Sequence, residues 1–136
     1  MSEKRTIRRR VRVARAHPQP GWLSRAKAAV RALATTPPNW DTYGAEAPNA
    51  LALRNAKRIL RDLATFGLRP DRIAPSAEGG VALVFVREAR YADLECLNTS
   101  EVLAGLSDGH TMPEVRTVTP ANVESILERI SEHLAA

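Results

Sequence analysis

Asp93 and Glu95 stand two residues apart in the segment Tyr91–Leu97, so a β-strand there would project both carboxylates from one face. Such a pair can bind a divalent metal or divide acid and base roles. A nuclease-like centre would also want a further acid and a nearby lysine, and the only lysines are Lys4, Lys27 and Lys57. Alternation of the two acids with Leu94 and Cys96 is the signature of a one-sided sheet whose polar parity faces water. A solvated strand face is therefore the expectation. His17, His110 and His133 lie far apart, and none has metal-ligand spacing with Cys96. Cys96 itself is expected to be a buried, inert thiol, since free cysteine behaves as a small hydrophobe. Gly79-Gly80 lacks the strand, glycine-rich loop and helix order of a phosphate loop and the Lys-Ser/Thr that follows it. No catalytic residue, metal ligand or cofactor emerges from these patterns.

The residues that stand out are cations. Lys4, Arg5, Arg8, Arg9, Arg10, Arg12 and Arg15 fall within twelve positions, six of the seven being arginine. Guanidinium groups suit bidentate phosphate contact, and neutralised phosphates release counterions, which gives salt-sensitive, sequence-independent binding. No aromatic residue lies inside this arm, so the arm alone is not a stacking platform for bases. Residues 1–36 hold ten basic residues against the single acid Glu3, whereas the remaining hundred hold ten against fourteen. A basic third joined to a mildly acidic body points to a negatively charged partner: nucleic acid, a membrane surface, or an acidic protein face, for which the acidic body of the chain itself is one candidate.

A second candidate surface is the loop Pro37–Pro48, PPNWDTYGAEAP, which places two of the six aromatic residues, Trp40 and Tyr43, close together. Rings there could grip a peptide or stack on bases. They could equally plug an end of the core, with Asp41 forming an Asx-type turn and Gly44 accepting positive φ.

Elements must position these residues. Trp22, Ala26, Ala29, Val30 and Leu33 follow helical spacing, with Arg25, Lys27 and Arg31 elsewhere on the same surface, which predicts a helix over about 21–34. Asn49 caps a second helix over 50–66 with the stripe Ala52, Ala56, Ile59, Leu60 and Leu63, and Gly67 ends it. Ile73–Ala74 is a short strand candidate and Glu78-Gly79-Gly80 a turn. Val81–Arg87 is the strongest strand, apolar on both parities and so expected to lie centrally, with Tyr91–Leu97 as its antiparallel neighbour. Glu101–Leu106 is a further strand, Val115–Val118 a weaker one, and Thr119 and Pro120 suit the N-cap and first turn of a helix over 120–134. Helices, then a meander, then a helix predict an α+β fold: three helices on one face of a three- to four-stranded antiparallel sheet, with a basic N-terminal arm. Leu83, Phe85, Ile59, Leu63, Ile126, Leu127 and Ile130 are the expected core. Residues 1–20 form the arm and 21–136 a single domain.

Asn39-Trp40-Asp41-x-Tyr43-Gly44-Ala45, followed by a capped helix and then by Pro75 and Gly79-Gly80-Val81-x-Leu83-x-Phe85, resembles a group of uncharacterised small bacterial proteins. Those have a W-D-x-Y-G-A loop, a helix, a P-x-x-x-G-G-hydrophobic hairpin and an acidic strand, here Asp93-Leu94-Glu95-Cys96. The resemblance covers about residues 39–100. It implies a fold reused in many contexts and no reaction.

A chain of 136 residues, 44% of them hydrophobic, can bury one core without disulfides or metal. Its single cysteine fits a reducing compartment, and no apolar run approaches the roughly 20 residues that span a bilayer. The expectation is a cytoplasmic, non-enzymatic binding or regulatory module without a membrane partner, whose arm contacts nucleic acid or an acidic protein. An antitoxin- or immunity-type inhibitor of a partner protein is one alternative, and a small metal-dependent enzyme using Asp93 and Glu95 is the other.

Overall fold

The computed structural model describes residues 19–136. Lys4, Arg5, Arg8, Arg9, Arg10, Arg12 and Arg15 lie outside the described residues, and with them the expectation of a basic arm. From Pro20 onward the chain is α+β, with three helices and a five-stranded antiparallel sheet.

Helix α1 (Gly21–Ala32) runs into a 3-10 turn, Leu33–Thr35. It buries Leu23, Ala26 and Val30, while Trp22 and Leu33 are half-buried and Ala29 is exposed. The buried stripe is thus turned from the expected one, with Leu23 and not Trp22 at its head. An indole is too large to enclose fully in so thin a layer, and Trp22 borders the start of the first strand instead. Helix α2 (Ala50–Phe66) begins where Asn49 accepts the Ala52 N–H at 2.9 Å. It ends at Gly67, left-handed at φ 97°, where the Gly67 and Leu68 amides both donate to the Leu63 carbonyl.

The strands β1 (Arg72–Ser76), β2 (Gly80–Arg87), β3 (Arg90–Leu97), β4 (Val102–Ser107) and β5 (Glu114–Thr117) form a simple meander in chain order. Five strands pair, not three or four, because both short candidates join the sheet as its edges. Pro75 is tolerated in β1 because an edge strand can lack a donor. β2 is interior and buried on both parities as far as Phe85, but the middle of the sheet belongs to β3.

Val81, Leu83 and Phe85, Ala92, Leu94 and Cys96, and Val102, Ala104 and Leu106 share one parity and form a single core with the helices. α2 packs on β2 and β3, α3 (Val123–Ala135) packs on β2, β3 and β4, and α1 packs on α2 and β1. All seven expected core residues are buried. The last helix starts later than Thr119-Pro120 suggest. Thr119–Asn122 is a turn in which the Thr119 N–H donates to Asn122 Oδ1 at 2.7 Å, and Asn122 stands at the N-cap.

Candidate functional site

Three surfaces carry the residues singled out in the sequence. The first is the sheet face turned away from the helices. Register places Arg72, Val84, Asp93, Gly105 and Val115 side by side across the five strands, and Ala74, Ala82, Glu95, Leu103 and Thr117 in the next row. Asp93 and Glu95 therefore do share a face, as parity requires. They are not freely solvated, however; both are half-buried in a shallow hollow of about 460 Å³ lined by Tyr91, Leu103, Gly105 and Val115. The middle strand of a five-stranded sheet has neighbours on both sides, and their side chains wall its polar parity.

The Asp93 carboxylate lies over Gly105, where a Cβ would come within 2.7 Å of Asp93 Oδ1. The Tyr91 hydroxyl donates to Asp93 Oδ2 at 3.1 Å, and the Ser76 hydroxyl donates to Glu95 Oε1 at 3.3 Å. Burial pushes the Asp93 carboxyl above its ordinary range, against the opposing hydrogen bonds from Tyr91 and the Gly105 amide. Burial also raises Glu95, and the charges of Asp93 and Glu78 add to it. The Tyr91 phenol is pushed up to about 12, first by burial and then by Asp93. Among the described residues no group of three or more His, Cys, Asp and Glu side chains could hold a metal ion, so the metal-dependent alternative gains no support from this face.

The second surface is the aromatic loop. Asn39 Oδ1 accepts the Gly44 N–H at 2.6 Å, and Asp41 Oδ1 accepts the amides of Tyr43 and Ala45 at 2.9 and 3.1 Å. Two side chains thus close the W-D-x-Y-G-A loop from within, with Gly44 at φ 90°. Trp40 is half-buried, its indole Nε1 shielded and without a partner, while Tyr43 stands 91% exposed. The plug expectation is not met: Trp40 is not among the half-buried side chains packed against the core, and Tyr43 is exposed.

The third surface escaped the sequence reading. α1 carries Arg25, Lys27 and Arg31 and no acid; α2 carries Arg54, Lys57, Arg58 and Arg61 with the single acid Asp62. Arg25, Arg31, Arg54, Arg58 and Arg61 are exposed, and no ion pair among the described residues involves any of the seven cations. The helices pack on each other, with Arg25 lying towards β1 and Arg58 towards the start of α3. α3 has the reverse pattern, with Glu124, Glu128 and Glu132 exposed one turn apart. The signal was visible: Arg54, Arg58 and Arg61 sit at i, i+4 and i+7, the outer counterpart of the buried stripe.

Of the remaining candidates, His133 and Cys96 are buried. His133 is buried with Nε2 at 3.2 and 3.0 Å from the Tyr91 and Ser107 carbonyls, tying α3 to β3 and β4. Cys96 is buried, and loss of solvent pushes its thiol up to about 12. No family model, curated protein or solved structure matches the chain. No helix among the described residues is long and apolar enough to cross a membrane.

Proposed function

We propose that this protein is a non-enzymatic module that binds nucleic acid through phosphate contacts, using the basic arm together with the outer surface of α1 and α2. The observation that carries this reading is the clustering of seven cations against one acid on two adjoining helices. The arm precedes Gly21, the first residue of α1, so its cations are close in sequence to those of that helix. A surface of this kind neutralises backbone phosphates at many registers and holds no preference for base edges.

An acidic protein face is the competing partner, and salt dependence separates the two. Titration of short RNA and DNA at about 50 and 200 mM salt should show affinity falling 10³–10⁵-fold if six to ten phosphates are contacted. Absence of binding at low salt would discard nucleic acid and leave the acidic protein surface as the partner.

A further inference from the structure

One face of the sheet lies under the helices; no described helix packs on the other, although Ala82 and Val84 on it are buried. Around the half-buried Asp93 and Glu95, that face and its rim expose apolar side chains: Tyr91 at 37%, Val86 at 48%, Val115 at 65%, and Met112 of the β4–β5 connection at 88%. Glu78 adds a third acid at the edge of the hollow, and Arg72 is the one cation in the two central rows. Asp93 and Glu95 form no ion pair among the described residues, and carboxylates partly withdrawn from water are costly unless a cation offsets that cost. An occupant of this face must therefore supply several cations, apolar surface and no acid.

Lys4–Arg15 has that composition: seven cations, Ile7, Val11 and Val13, and no Asp or Glu. Arginine stems also cover apolar surface while their heads reach carboxylates. The point of entry is favourable. Trp22 and Arg25 of α1 border the same hollow as Arg72, so the chain enters the fold beside the first residue of the row that contains Asp93. From β1 to β3 is two strand spacings, about 10 Å. Since α1 lies on the helix-covered side, the segment also rounds the β1 edge, and residues 10–19, when extended, span about 33 Å.

We infer that the sheet face turned away from the helices, centred on Asp93 and Glu95, is the intramolecular docking site of the chain's own segment Lys4–Arg15. An arm held there is withheld from any other polyanion-binding role, so the face acts as an internal competitor for it. The inference stands apart from the nucleic-acid reading, because its test contains no nucleic acid.

The test uses the full chain carrying Ser2→Cys, alkylated with a nitroxide spin label; Cys96 is buried and does not compete for the label. Amide spectra at low salt should show the signals of Tyr91, Asp93, Gly105 and Val115 broadened away, with those of the acidic face of α3 retained. The broadening should be lost in about 0.5 M salt, and lost also in the isosteric variant Asp93→Asn/Glu95→Gln, whose remaining amide pattern reports an intact fold. Broadening absent at low salt, or unchanged in the double variant, overturns the inference. A mixture of isotope-labelled chain without nitroxide and unlabelled chain with it should show none; broadening there would place the arm on a second copy and overturn the intramolecular site.

Discussion

Gly80 and Gly105 both face close neighbours, yet a methyl group at the two positions has opposite consequences. Gly80 sits at φ 142°, and its Cβ would meet the Cys96 carbonyl oxygen at 2.2 Å and Leu97 Cα at 2.8 Å. Both are backbone atoms of the central strand and cannot withdraw. Gly80→Ala should therefore destabilise by about 3 kcal/mol or more, seen as a large drop in denaturant midpoint. Gly105 meets mainly the end of the Asp93 side chain. Gly105→Ala should fold and push that carboxylate aside, breaking the hydrogen bond from Tyr91. Since Asp93 helps hold the Tyr91 phenol up, its pKa should fall from about 12 towards the ordinary 10, with burial retaining part of the shift. Absorbance titration of tyrosinate in a Tyr43→Phe background isolates Tyr91 and reads this directly. An unmoved titration would mean that burial alone sets the value.

Local capping and long-range packing set the stability of the elements, and they can be separated by mutation. Asn49 accepts the Ala52 N–H, and its Nδ2 donates to the Asn98 carbonyl at 3.0 Å, fastening the start of α2 to the β3–β4 turn. Asn49→Ala should cost about 1–2 kcal/mol. Phe85→Ala empties a fully buried site on β2 and should cost about 3–5 kcal/mol. Chemical denaturation of both variants, with the slope unchanged, checks the order. That the sequence led to Asn49, Gly67 and Phe85 follows from local physics: caps, left-handed glycines and period-2 burial are written in residue type. The edge strands β1 and β5 were harder, being short, with Pro75 in one and two charged residues in the other. Their pairing comes from the neighbouring strand, not from their own pattern. Thr119-Pro120 misled because it has the composition of a helix start, while Asn122 forms the cap after a turn. At the acidic face, parity placed Asp93 and Glu95 together, but their burial depends on β4 and β5, which no local pattern encodes. The cations of α2 were legible all along and were eclipsed by the denser run in the arm.

Among the described residues the charge is sorted: α1 and α2 are cationic, while α3 and the sheet face around Asp93 are anionic. Under the proposed function, only the cationic side should enter the salt dependence of binding. Each phosphate neutralised adds about 0.9 to the slope of log K against log salt on duplex DNA. Arg54→Ala/Arg58→Ala/Arg61→Ala removes three exposed cations, and alanine is at least as good a helix former, so α2 should persist. If all three contact phosphate, the slope should flatten by about 2.7, and by less if only some do. Replacing Arg8, Arg9, Arg10 and Arg12 by Ala should flatten it by up to about 3.6 on the same reasoning. Glu124→Gln/Glu128→Gln/Glu132→Gln on α3 is the contrasting variant. Removing repulsion there should tighten binding at low salt while leaving the number of released counterions, and hence the slope, nearly unchanged. Equal slopes in wild type and both arginine variants would show that the cationic side contacts no phosphate. A slope changed only by the arm variant would restrict the interface to residues before Gly21 and leave α1 and α2 as a solvated surface.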